Sequence, residues 1–425
     1  MNKVNVGNDL YLKGRIGWRG LSKDEYLDHS SYCIINATAL LDNKINWNNC
    51  GYISKERFDE SEEIILQEDD ILISKDGTLG KIGFVKDKPD NATVASGIFV
   101  LRNTKKDVLD TTYLYHFLKS NIFKDFIKRN KADGSTINHL YQRDLARLDL
   151  DLPSLIEQQN IGYILSMIDE KIETNNKINE ELESLAKTLY DYWFVQFDFP
   201  DENKRPYKSS GGAMVYDDIL KREIPANWRV ENISKYCNII DCLHSKKPDY
   251  CYEAKDLYLL QLENLNNAGY IDIANKYYIS KEDYIYWTQK IEIQENDFVV
   301  TNAGRTGAFG KIPKGVKCAL GRNLTAIRPI SISPYYLRMF FGSNDMNQQI
   351  LSNLDCGAFF KSFNVKSIKL IALLIPQENI LNDFISKIAP IIKQIETNNI
   401  EIQFLTETRE FLLPMLMNGQ VIIQQ

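Results

Sequence analysis

No run of about 18 consecutive apolar residues occurs in the chain, so no segment reads as a membrane-spanning helix. Histidine is scarce, with only His29, His116, His139 and His244. Neither these nor the seven cysteines (33, 50, 237, 242, 251, 318 and 356) form a Cys-x-x-Cys or His-x-x-x-His pair. That excludes the common zinc spacings. Cys242, His244 and Cys251 lie close in sequence but too loosely to predict a site, and no metal is expected. The opening "MNKVNVGNDLYLKG" lacks the apolar core of a secretion signal. Free thiols in a reducing cytoplasm are therefore the expectation. No Ser-His-Asp or Cys-His arrangement stands out, and the Asn/Asp-Pro-Pro-Tyr/Phe motif of methyl-transfer sites is absent.

Net charge is −6, with 44% hydrophobic and 25% charged residues, the balance of an ordinary globular chain. Alone, that sum argues against nucleic acid as a partner. Its distribution says otherwise. Residues 119–131 carry Lys119, Lys124, Lys128, Arg129 and Lys131 against one aspartate. Residues 311–328 carry Lys311, Lys314, Lys317, Arg322 and Arg328 with no acid.

At 425 residues the chain is long enough for two or more domains, and it repeats itself. "IETNN" stands at 172–176 and again at 395–399, 223 positions on. Pro153 and Pro376 share that offset, as do Gly134 and Gly357. Residues 153–193 and 376–417 each predict one long helix. Apolar residues at 161, 165, 168, 172, 182 and 189 follow the four-and-three spacing of a coiled-coil seam. Phe384, Ile388, Ile391, Ile395, Ile402, Leu405, Leu412 and Leu416 do the same in the second copy. Asn175 and Asn398 fall on these seams, where a buried amide fixes register at a cost in stability. Antiparallel pairing would bring the two asparagines near each other.

Before each helix lies a segment with strand-like alternation. "DILIS" and "DFVVT" follow acidic turns and lead into GxxGxxG, at Gly77, Gly80 and Gly83 and at Gly304, Gly307 and Gly310. A helix is expected over 111–130. The glycine spacing fits neither the P-loop, since Ile312 follows the GK, nor GxGxxG. It fits tight turns or close approach of backbone to a ligand such as DNA. A nuclease centre at Asp70 and Lys75 would be lost in copy two, where positions 75 and 76 become Asn302 and Ala303. The predicted fold is α/β (α+β): two pseudo-symmetric domains joined by two long antiparallel coiled-coil helices. The boundaries are 1–152, 153–195 (helix), 196–375 (linker and second domain) and 376–425 (helix).

Several blocks resemble the specificity subunit of type I restriction-modification systems. "LPSLIEQQNIGYILSMIDEKIETNN" (152–176) resembles that family's Leu-Pro-x-Leu-x-Glu-Gln helix start. "LYDYWFVQFDFP" and "RPYKSSGGAMVYDDILKREIPANW" resemble its central conserved region. "GRIGWRGLSKDEY", "DDILISKDGTLGKIGFV" and "IIDCLHSKKPDY" resemble parts of its target-recognition domains. The second helix starts "IPQENI" and departs from the first.

The resemblance implies a non-catalytic chain whose two target-recognition domains each read half of a gapped double-stranded DNA site. It implies helices that set the gap and dock two methyltransferase subunits and, through them, restriction subunits. No cofactor is expected in this chain. S-adenosylmethionine would belong to the methyltransferase subunits, and ATP and Mg to the restriction subunits. The location would be cytoplasmic. A coiled-coil protein-interaction scaffold that does not read DNA is the alternative.

Residue type, loop position and motif match select the DNA-contacting candidates. In copy one they are Arg15, Trp18, Arg19, Lys75, Asp76, Thr78, Ser135, Thr136 and His139, with Lys124, Lys128 and Arg129 for phosphates. In copy two they are His244, Ser245, Lys246, Asn302, Arg305, Thr306, Arg322 and Asn323.

Overall fold

The computed structural model describes residues 2–15, 20–41, 43–130, 139–265, 269–273, 275–356 and 361–421. Contacts divide the chain into two compact units: residues 1–173 with 404–425, and residues 174–403.

The first unit is built on an antiparallel four-stranded sheet. Its order is Tyr11–Gly14, Ile98–Arg102, Ile71–Ser74, Ile82–Phe84. The run Ile71–Ser74 is buried throughout because both faces of the sheet are covered. Ile71 and Ile73 pack with Tyr113, Leu114 and Phe123 of two helices. Leu72, one residue out of phase, packs with Cys33, Ile35 and Val94 on the opposite side. Those last residues belong to a three-stranded sheet in which Tyr32–Ile35 and Asn91–Val94 run parallel.

The second unit repeats this plan. Its four-stranded sheet runs Cys237–Asp241, Leu324–Pro329, Phe298–Thr301, Phe309–Lys311. Phe298 and Val300 face one core and Val299 the other. Tyr258–Leu260 and Cys318–Leu320 form its parallel pair. The strand entering each long helix pairs with a strand at the start of its domain. Leu152 is opposite Asn2, and Ile375 is opposite Arg229.

The helix expected over 111–130 is two helices, Thr111–Lys119 and Asn121–Asn130, because Ser120 is extended. Its counterpart is also split, into Pro334–Phe341 and Asn344–Ser352, with Ser343 capping the second.

The first long helix spans Leu155–Tyr190 and ends in a π turn, Asp191–Val195. Its start explains the Glu-Gln of the sequence. The Ser154 amide and hydroxyl donate to the Glu157 carboxylate at 2.9 and 2.7 Å, and the Glu157 amide returns a bond at 3.3 Å, a capping box. Gln158 is fully buried. Its amide donates to the carbonyls of Val108 and Pro153, and its oxygen accepts from the Asp110 amide.

The second long helix spans Glu378–Met417. Within each unit the two helices pair antiparallel. In the second unit Tyr190 packs on Phe384, while Asn179 donates to Asn399 and Asn175 to Glu401. In the first unit Arg409 holds Asp169 at 2.7 Å.

The seam drifts from the predicted spacing. Ala186, Tyr190 and Ile392 are buried, while Leu189 and Ile391 are only half-buried. A straight helix turns every 3.6 residues, so a strict seven-residue repeat rotates off the seam. Asn175 and Asn398 are both buried. Asn398 donates to Asn179 at 2.8 Å, so each asparagine bonds a side chain of the opposite helix other than its repeat mate.

Candidate nucleic-acid interface

In the first unit the strand ends Gly14 and Ser74 meet the strand start Ile98 at one edge of the four-stranded sheet. Three segments are tied together there. The loop after Ser74 is closed by the Ser74 hydroxyl donating to the Thr78 carbonyl at 2.6 Å and by the Gly80 amide donating to the Ser74 carbonyl at 3.0 Å. The Lys75 amide donates to Gly97 at 2.9 Å, and the Leu140 amide donates to the Lys75 carbonyl at 2.9 Å.

The second unit makes the same bonds. Thr301 donates to the Arg305 carbonyl, and Gly307 donates to Thr301 at 2.9 Å. Asn302 donates to Asn323 at 2.8 Å, and Phe363 donates to Asn302 at 2.9 Å. Gly77, Gly80, Gly304 and Gly307 have φ of 69, 74, 78 and 81°, which favours glycine. Gly80 and Gly307 are also sterically required: an added Cβ would lie 2.4 Å from Ile127 and 2.6 Å from Ile350. The glycines thus serve turn geometry and helix packing.

Most candidates gather at these two edges. Thr78 is exposed and Asp76 half-exposed, and the Asp76 carboxylate accepts from His139 Nδ1. Lys75 is half-buried, with its ammonium 4.8 Å from the centre of the Phe99 ring, and burial lowers its pKa. In the second unit Arg305, Arg322 and Asn323 are exposed. Asn302 accepts from Thr325 at 2.9 Å, and Arg305 donates to the Leu265 carbonyl. Thr306 is half-buried in the same loop.

The Cys242 amide donates to Leu324 at 3.3 Å, which brings the segment holding His244, Ser245 and Lys246 to the same edge. His244 is exposed and bonds Asp241 at 2.9 Å, and Tyr286 donates to Ser245 at 3.5 Å. Asp241, Cys242 and His244 hold three metal-type donor atoms within 4.8 Å of one another. Lys124, Lys128 and Arg129 are exposed on the helix whose Ile127 packs against Gly80, with Asp125 bonding the last two. Trp18, Arg19, Ser135 and Thr136 lie outside the described residues.

Two sequence readings are corrected, that of Arg15 and that of the cationic clusters. Arg15 is 2% exposed, donates to the Val94 carbonyl and the Ser61 hydroxyl, and does not reach a base edge from there. Burial pushes its guanidinium below its ordinary pKa. Asp70 has a structural partner in place of the nuclease role that the duplicate argues against. Fully buried, it takes Nε and Nη2 of Arg102 at 2.6 and 2.8 Å, a structural pair.

The cationic clusters are thinner than their sequence suggests. Lys119 is buried against Asp169, Lys311 against Glu396 at 2.6 Å, and Arg328 holds Asp297. Lastly, sequence reading missed Tyr141, whose ring meets His139 edge-on at 4.6 Å, and Ser362, which occupies the position of His139 in copy two. The 223-residue register marks Ser362, but nothing local marks Tyr141.

Residues 17–184 match the family described as type I restriction modification DNA specificity domain. The chain is 25% identical over 414 residues to the putative type I restriction enzyme MjaX specificity subunit of Methanocaldococcus jannaschii, covering 95% of this chain and 91% of that one. It is 24% identical over 326 residues to the MjaIX specificity subunit of the same organism, covering 75% and 71%. The type I restriction-modification S subunit from M. genitalium shares the fold, with a TM-score of 0.58 at 14% identity over 100% of this chain and 96% of that one. Residues 17–184 thus match a type I restriction modification DNA specificity domain, and most of the chain is similar to the specificity subunits of type I restriction enzymes.

Proposed function

We propose that this chain is a non-catalytic specificity subunit of a type I restriction-modification system that recognises a bipartite, gapped double-stranded DNA site, with one half read by each sheet-edge loop cluster. One observation carries the reading. The two units repeat the same backbone bonds at Lys75 and at Asn302, yet present different polar side chains there. A conserved frame with unlike tips suits two modules that read different bases. Lys124, Lys128, Arg129, Lys246 and Arg322 are exposed and suit phosphate contact despite the net charge of −6.

On this reading the paired helices set the gap and dock two methyltransferase subunits, with restriction subunits joining through them. Large apolar side chains exposed on the helices, Tyr163, Phe404 and Phe411 among them, suit such docking. S-adenosylmethionine would be held by the methyltransferase subunits, and ATP and Mg by the restriction subunits. The complex would work in the cytoplasm, where its DNA lies.

The test is selection from a random duplex pool, using the chain co-purified with its methyltransferase subunits. Two unlike short motifs at one fixed gap are the expected result. Salt-sensitive binding without sequence enrichment would overturn it and favour a protein-interaction scaffold.

A further inference from the structure

The two loop clusters differ most sharply at one point. In copy one, Asp76 and His139 form an isolated antiparallel bridge, and their side chains bond through Nδ1 and Oδ1. In copy two the same positions hold Ala303 and Ser362. The frame around them is unchanged, since Leu140 and Phe363 make equivalent backbone bonds. The Asp76–His139 pair is therefore not needed to build the loop.

Its surroundings orient one carboxylate oxygen. The Tyr141 ring meets the His139 ring edge-on at 4.6 Å, and the Arg143 guanidinium lies 4.9 Å from the Tyr141 ring centre. His139 occupies Oδ1. Oδ2 lies beside Gly97, where even an added Cβ would be 3.6 Å away. The Asp76 side chain is 42% exposed. A carboxylate only accepts hydrogen bonds. In the major groove the only base-edge donors are the amino groups at cytosine N4 and adenine N6. Adenine places the N7 acceptor beside N6, which repels a second carboxylate oxygen, whereas cytosine presents its amino group alone.

We propose that Asp76 is a specificity-determining residue that reads the N4 amino group of a cytosine, so that the copy-one half-site contains an obligate C·G pair, and that His139 is the positioning residue that aims it. The inference rests on the bipartite reading above.

The experiment measures binding of the co-purified complex to duplexes in which each base pair of the selected site is varied in turn, for the unsubstituted chain, Asp76→Asn and His139→Ala. The unsubstituted chain is expected to demand C·G at one copy-one position. Asp76→Asn should lose discrimination there by roughly tenfold and move its preference toward A·T, since a carboxamide matches adenine N6 and N7. His139→Ala should keep the preference for C·G but weaken it. Every other position, and the whole copy-two half-site, should be unchanged. Equal losses at all positions would show a merely structural role and overturn the proposal. So would an unaltered preference in Asp76→Asn, or a copy-one half-site without C·G. If the unsubstituted chain shows no sequence preference at all, the bipartite reading fails, and the proposal with it.

Discussion

Arg328 closes on Asp297 with two parallel bonds, Nε to Oδ1 at 2.8 Å and Nη2 to Oδ2 at 2.6 Å. Arg102 does the same to Asp70. In both units the carboxylate also accepts a backbone amide, from Gln294 and from Gln67. The pair locks the acidic turn that starts the central strand to the neighbouring strand. Because the carboxylate is buried, removing the arginine strands a charge. Arg328→Ala is expected to destabilise the second unit by about 3 kcal/mol. Chemical denaturation followed by tryptophan fluorescence checks this. A loss near zero would mean the pair is incidental.

The helix pair makes a second prediction. Asn398 donates to Asn179 and accepts from Gln394, both at 2.8 Å. Asn398→Leu leaves the Asn179 oxygen and the Gln394 amide without those partners, which costs roughly 1–3 kcal/mol. Replacing Asn179 and Asn398 together by leucine should recover stability, as buried polar pairs exchanged for apolar ones often do. It should also blur the register of the helices. Spin labels on facing positions of the second unit would report a broadened distance distribution in the double variant. An equally narrow distribution would remove the register role.

Acid should weaken the first unit through His116. It is buried beside Ser166, and burial, with Lys119 close by, lowers its pKa from 6.5 to about 3. The unfolded chain therefore binds this proton between those values while the folded chain does not. Stability falls as pH drops below about 6.5, by up to about 1.4 kcal/mol per pH unit from this one group. His116→Gln should flatten that slope in melting experiments between pH 6.5 and 4. An unchanged slope would place the acid sensitivity elsewhere. Asp169, held below its ordinary value by Lys119 and Arg409 despite burial, loses its contribution only at still lower pH.

Much of this architecture is visible in the sequence, for a physical reason. A duplicated chain states each structural requirement twice. Pro153 with Pro376 marks both helix starts, and the glycine triplets mark both sheet-edge loops. What the sequence conceals is pairing across long separations. Nothing local shows that Asp70 is met by Arg102, that Arg15 turns inward, or that Lys119 and Lys311 are spent on helix carboxylates. A run of cations reads as a basic face until its partners are known. The seam was legible as a helix but not in phase, because Ala186 and Tyr190 replace Leu189 only once the helix turn is followed in space.

The central claim is that the two loop clusters read separate halves of one site. Arg322 tests it most directly, because it is exposed on the turn beside Asn323 at the second cluster. Random-pool selection should be run in parallel with the unsubstituted complex and with Arg322→Ala. The account predicts that the copy-two motif weakens or loses a position while the copy-one motif and the gap stay the same. Equal erosion of both motifs would contradict it, since the halves would then not be read by separate modules.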